Sequence, residues 1–199
     1  MGSGFSPAVF LDRDGVLIED VELLTDVSGI RLLPGVAEAL VILKEAGYAL
    51  LVVSNQAVVA RGLLSETEVR VLENEVEIRL VQEGAPPLDG FYFCPHHPKA
   101  TLAAFRRVCE CRKPRPGMLL KAAEEHGIDL SRSFMVGDRP TDLLAGARAG
   151  CRTIWVETGQ HEAPLIETGE DPVPVQADHV CSNLLEAVKW IMSLGLRSI

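Results

Sequence analysis

The chain has 199 residues, of which 47% are hydrophobic and 24% charged, and a formal net charge of −9. That length suits one domain with a real core, and the composition is ordinary for a soluble globular protein. The acidic balance argues against a nucleic-acid surface or an anionic membrane as partner, so an anionic substrate would need a local cationic pocket. No apolar run approaches the ~20 residues of a membrane span, and the N-terminus lacks the basic and apolar segments of a signal peptide. The expectation is a cytoplasmic, monomeric protein, with residues 1–199 as a single domain. Five cysteines, an odd count without a secretion signal, argue against a disulfide framework.

In chain order, Ala8-Val9-Phe10-Leu11 is a short apolar run of the kind that forms a buried parallel strand. It breaks at Asp12-Arg13-Asp14-Gly15, where two carboxylates one residue apart would be costly unless a metal, a base or a ligand uses them. Residues 16–34 form a long connection whose Leu pairs, 23–24 and 32–33, suit packing. After Pro34-Gly35, Val36, Leu40 and Leu43 repeat at helical spacing until Gly47. A second buried strand, Tyr48 to Val53, stops at Ser54-Asn55-Gln56.

Ser65 with Glu68 makes a capping box for a helix with Val69, Leu72, Val76 and Leu80 on one face. Its Glu66, Arg70, Glu73 and Glu77 read as a solvated face. A third strand, Phe91-Tyr92-Phe93, leads directly into Cys94, and residues 95–117 then show no sustained period. A helix runs from near Pro116 to Gly127, a fourth strand from Ser133 to Val136 ends in Gly137-Asp138, and Pro140 opens a helix that stops at Gly150. Thr153 to Val156 is a fifth strand, 157–176 reads as loop, Ala177 to Val180 as a last strand and Leu184 to Met192 as a closing helix.

Strands alternating with helices predict an α/β domain with a mainly parallel sheet. Ligands of such sheets sit outside the carboxyl ends of the strands, which here carry Asp12 and Asp14, Ser54, Cys94 and Asp138. Several carboxylates on one edge repel one another unless a divalent cation neutralises them, and an oxygen-only set suits Mg²⁺. Asp142, one helical turn after Asp138, could face the same metal or cap the helix opened by Pro140. A hydroxyl from Ser54 and an ammonium from Lys113 would complete a phosphate site. In an acidic chain, Arg112-Lys113-Pro114-Arg115 beside such ligands favours anion recognition.

A second metal candidate is Cys94-Pro95-His96-His97 with Cys109-Glu110-Cys111, a zinc-binding loop at about 94–111. Soft ligands in this number match a closed structural zinc site, with His96 and His97 competing for one position. Such a site would pin the loop that carries Arg112 and Lys113.

The order LDRDG, SNQ, CRKPRPGM and GDRPTD resembles the four motifs of the haloacid dehalogenase superfamily of phosphatases, over about residues 8–156. CPHHP with the downstream CEC resembles its zinc-bearing branch, which acts on heptose bisphosphates or on histidinol phosphate. The resemblance implies a Rossmann-like three-layer sandwich and a Mg²⁺-dependent hydrolysis through an aspartyl-phosphate. Asp12 would be the nucleophile and Asp14 the proton donor and acceptor, with Ser54 and Lys113 holding the transferring phosphoryl group. Asp12, the Asp14 carbonyl and Asp138 would hold Mg²⁺, and Cys94, His96, Cys109 and Cys111 would hold Zn²⁺.

Asn55, Gln56, Arg112, Arg139, Asp20 and Glu22 fall where the resemblance places substrate contacts. The long spacing from His96 to Cys109 and Ala60-Arg61-Gly62 resemble the heptose group, which implies a small anionic sugar-phosphate substrate and loss of the 7-phosphate of heptose 1,7-bisphosphate. Histidinol phosphate is the alternative substrate, and a non-catalytic binding module the alternative class. Val16, Ala57 and Arg139 depart from the Thr, Ser and Lys usual at these places, and Val21-Glu22-Leu23 lacks the expected His-containing pattern.

Overall fold

The computed structural model describes residues 6–21, 23–159 and 176–195. Six parallel strands form one sheet in the order β3-β2-β1-β4-β5-β6. They are β1 (Ala8–Leu11), β2 (Ala49–Asn55), β3 (Gly90–Cys94), β4 (Phe134–Gly137), β5 (Arg152–Val156) and β6 (His179–Cys181). The helices are α1 (Val36–Glu45), α2 (Ala57–Ala60), α3 (Glu66–Gln82), α4 (Gly117–His126), α5 (Pro140–Ala149) and α6 (Leu184–Gly195). Among the described residues, no helix is long and apolar enough to cross a membrane.

Side chains of successive strand residues point to opposite faces, and here each face meets its own helical layer. Val9, Leu11, Leu50, Val52, Val136 and Ile154 pack with Leu40, Leu43, Val76, Leu80, Val188 and Ile191 of α1, α3 and α6. On the other face, Ala8, Phe10, Leu51, Val53 and Met135 pack with Met118, Leu119, Ala122 and Ala145 of α4 and α5. Covered on both sides, β1 is apolar at every position, as a central parallel strand must be. This is the expected three-layer sandwich.

The order reverses at β1, which pairs with β2 on one side and β4 on the other. At this switch point the chain leaves the sheet at Asp12, whose N–H still donates to the Val136 carbonyl (3.0 Å). The connection from 16 to 34 does pack: Leu17, Ile18, Leu24 and Ile30 are buried. Arg79 of α3 ties it down by donating from Nη1 to the Ile30 carbonyl (2.7 Å) and from Nη2 to the Val27 carbonyl (3.0 Å).

Two details differ from the sequence reading. Glu73 does not belong to a solvated face: it is 5% exposed, because α3 turns it toward the sheet together with Leu72 and Val76. The short α2 was not predicted, since four residues are too few to carry a period. Glu22 and residues 160–175 lie outside the described residues.

Candidate active site

Gly15 sets the local geometry after β1. Its φ of +81° is open to glycine at little cost, and the turn closes with Leu17 and Ile18 both donating to the Arg13 carbonyl (2.9 and 3.1 Å). A Cβ on Gly15 would stand 2.4 Å from Asp138 Oδ2, so a glycine here also makes room for that carboxylate. The turn keeps Asp12 buried and leaves the Asp14 side chain 21% exposed.

Lys113 reaches this point from a loop far along the chain. Its buried ammonium meets Asp12 Oδ1 (2.8 Å), Asp142 Oδ1 (2.6 Å) and the Val53 carbonyl (2.7 Å). Burial alone would lower its pKa, but the carboxylates of Asp12 and Asp142 outweigh that and hold the ammonium charged. Asn55 locks the lysine's main chain, with Nδ2 donating to the Lys113 carbonyl and Oδ1 accepting from the Lys113 N–H, both at 3.1 Å. The side chain expected to touch substrate is thus engaged in placing Lys113.

Of the two places that the sequence left open to Asp142, the cap of α5 is filled. Oδ2 accepts from the Arg139 N–H (3.0 Å) and caps α5, while Oδ1 faces Lys113 as an ion pair rather than a directed hydrogen bond. Burial pushes its carboxyl up to about 6, against the pull of Lys113.

Asp138 is the least satisfied group. It is fully buried, and neither carboxyl oxygen has a hydrogen-bond partner among the described residues. Burial first, then the charges of Asp12 and Asp142, push it up to about 8. Arg139 comes no nearer than 4.0 Å. One oxygen each of Asp12, Asp138 and Asp142 lies within 4.8 Å of the others, a grouping that could hold a metal ion. An orphaned buried carboxylate beside two more is the state a hard divalent cation would relieve.

The remaining predicted contacts ring this centre. Gln56 Nε2 donates to Ser54 Oγ (2.7 Å) and lies 3.5 Å from Asp14 Oδ2. Arg139 pairs with Asp20 (2.5 Å), bridging the loop after β1 to the loop after β4. Arg112 Nη1 donates to the His96 carbonyl (2.9 Å), coupling Lys113's loop to the cysteine cluster.

That cluster brings together Cys94, His96, Cys109 and Cys111, with ligand atoms within 4.8 Å of one another. The Sγ–Sγ distances run from 3.1 to 3.5 Å, and His96 Nδ1 is 3.4 and 3.7 Å from two of the sulfurs. Four ligands at ~2.3 Å from a central ion would define edges of roughly 3.8 Å, so the donors already approach a tetrahedron. His97 is outside it, with Nδ1 accepting from the Lys99 N–H (3.0 Å). Gly117 keeps the following helix close: a Cβ there would meet the Glu110 carbonyl at 2.4 Å.

Sequence reasoning missed three contributors. Thr158 Oγ1 donates to the Gly15 carbonyl (2.5 Å), and a Cβ on Gly159 would strike Asp138 Oδ2. Their position just past the carboxyl end of β5 was the available signal. The third is Arg13, 2% exposed, whose guanidinium grips both oxygens of Asp14. Nothing local in the sequence shows that this arginine, set between two aspartates, is buried.

The fold and the site together define an α/β protein with a lysine-paired carboxylate cluster at the switch point of a parallel sheet. The HAD-hydrolase-like family model matches residues 110–187. D-glycero-beta-D-manno-heptose-1,7-bisphosphate 7-phosphatase of Yersinia pestis is 41% identical over 186 residues, covering 93% of this chain and 95% of that protein. The protein of the same name from Escherichia coli K12 is 40% identical over 166 residues, 83% of this chain and 86% of its own. Among solved structures, D,D-heptose 1.7-bisphosphate phosphatase from B. bronchiseptica complexed with magnesium and phosphate superposes with a TM-score of 0.78 at 29% identity, over 94% of this chain and 99% of that one. A putative HAD-like phosphatase from Mesorhizobium loti matches with the same TM-score at 30% identity, over 94% and 88%. The chain belongs to the HAD-like hydrolases, and within them to the phosphatases.

Proposed function

We propose that this chain hydrolyses the 7-phosphate of D-glycero-D-manno-heptose 1,7-bisphosphate, with the β form named in its relatives as the first substrate to assay. The observation that carries the reading is the buried set Asp12, Lys113, Asp142 and orphaned Asp138, on a chain that matches heptose-bisphosphate phosphatases over nearly its whole length.

Asp12 Oδ attacks phosphorus and the bond to the sugar oxygen breaks. Asp14 gives a proton to that departing oxygen. Water then attacks the aspartyl-phosphate, Asp14 takes its proton, and inorganic phosphate leaves as the Asp12 carboxylate re-forms. Lys113 supplies fixed positive charge to the transferring group, and Ser54, oriented by Gln56, a hydroxyl. Arg112 and Arg139 recognise the distal part of the substrate, with Gln56 and Asp20 as further contacts; Glu22, the remaining candidate, lies outside the described residues.

Asp12, the Asp14 carbonyl and Asp138 fit Mg²⁺, because all are oxygen donors and the Asp138 carboxyl accepts no hydrogen bond among the described residues. When bound, that ion neutralises charge on the phosphoryl oxygens. Cys94, His96, Cys109 and Cys111 fit a structural Zn²⁺, four soft donors with no open position. We also read the chain as a single-domain cytoplasmic monomer, and its net charge of −9 supports a small substrate rather than nucleic acid or membrane as partner.

The test is kcat/KM for phosphate release with Mg²⁺ from heptose bisphosphate and from histidinol phosphate. A preference of about tenfold or more for the heptose is expected. A preference for histidinol phosphate overturns the substrate assignment.

A further inference from the structure

Arg13 is a full-length cationic side chain at 2% exposure, placed between Asp12 and Asp14. A guanidinium does not shed its charge on burial, so the fold must supply it with partners. Among the described residues one is well formed. Nε and Nη2 donate to Asp14 Oδ1 (3.2 and 2.9 Å) and Nη2 to Oδ2 (2.8 Å), while Nη1 is buried with no hydrogen-bond partner among those residues. The tight turn at this point is closed by main-chain bonds and by Gly15, so it does not require an arginine.

The fork fixes the carboxyl that the proton transfers need. Both oxygens of Asp14 are held at once, a geometry that a single-point donor does not impose. Arg13 is further the leading positive charge acting on Glu73, the buried carboxyl of α3.

We propose that Arg13 is the positioning residue of the reaction, holding the Asp14 carboxyl in line and meeting the negative charge that forms on it as its proton leaves. This rests on the phosphatase reading, in which Asp14 protonates the departing sugar oxygen. In that first step the Asp12–phosphorus bond forms, the phosphorus–sugar bond breaks and Asp14 becomes a carboxylate. A guanidinium already in place stabilises that product and the transition state leading to it. In the second step the same contacts keep the carboxylate aimed to accept the proton of the attacking water.

Leaving-group dependence isolates this role. An alkyl phosphate needs a proton at its departing oxygen, whereas p-nitrophenyl phosphate expels a stable phenolate without one. Arg13→Met should lower kcat/KM on the sugar phosphate by about 100-fold and on p-nitrophenyl phosphate by less than about threefold. Arg13→Lys, which restores charge but not the fork, should fall between, and it carries the test if the methionine variant does not fold. Asp14→Asn must show the same split. Equal losses on both substrates by folded Arg13 variants, with the split intact in Asp14→Asn, overturn the assignment of Arg13. Equal losses in Asp14→Asn itself overturn instead the acid role of Asp14.

Discussion

Two clusters lie next to each other at the carboxyl edge of the sheet and hold themselves together in opposite ways. The cysteine cluster draws its four ligands from positions 94 to 111, a local clip on one loop. The carboxylate cluster collects Asp12 from one stretch and Asp138 and Asp142 from another and gathers them around Lys113, 101 positions from Asp12. The first is built from thiols and an imidazole, and the second from carboxylates that carry their own cation. One cluster is thus a set of local soft donors, the other a set of hard donors brought together on a distant lysine. The two meet through Arg112, which spans from beside Lys113 to the His96 carbonyl.

That division can be broken experimentally, and Asp12→Asn should give the largest effect. Turnover of the sugar phosphate should fall at least about 10³-fold, because an amide replaces the nucleophile. The melting temperature should hold or rise, since Lys113 keeps Asp142 and the Val53 carbonyl while one of three crowded carboxylates loses its charge. Parallel kinetics and calorimetry check this; a collapse in stability would show that Asp12 is structural.

Cys109→Ser should do the reverse in kind. Zinc content falls from one per chain toward zero and the melting temperature drops by about 10 °C, with activity lost through the loosened Arg112–Lys113 loop. Metal analysis beside thermal unfolding decides it. A variant that loses zinc but keeps its full stability would remove the fastener role.

The subtlest effect is a pH slope in zinc-loaded protein kept free of magnesium. Folding raises the Asp138 carboxyl to about 8 and Asp142 to about 6, from an ordinary value near 3.8. Between those limits the folded state binds more protons than the unfolded one, so stability is greatest at acid pH and is lost as pH rises through about 6 to 8. Melting temperatures at pH 5.5 and 8.5 should therefore fall by several degrees. Asp138→Asn should flatten that slope, and added Mg²⁺ should oppose it at the alkaline end. A slope unchanged in Asp138→Asn would place the titration elsewhere.

Local features were the most legible in the sequence. The Ser65–Glu68 capping box formed as read, with Ser65 Oγ accepting from the Glu68 N–H and the Glu68 carboxylate accepting from the Ser65 N–H, because all its atoms lie within one turn. The strands were legible for the same reason, since apolar runs bounded by Gly, Pro and polar residues need no tertiary information. Glu73 was misread because helical spacing placed it among charged neighbours, while its burial depends on what α3 packs against. Asp142 could not be assigned one place because its two oxygens have two jobs, and a sequence shows one residue.

By itself, the sequence determined the order of strands and helices, the four short motifs at the strand ends, and the soft-donor set of the loop. These depend on residue type and near spacing. Only the tertiary structure decided that Asp138 lies buried without a donor among the described residues, that Lys113 joins Asp12 to Asp142, and that a buried Arg13 grips Asp14. Each of those is a consequence of desolvation, and desolvation is set by what packs overhead rather than by what precedes or follows in the chain.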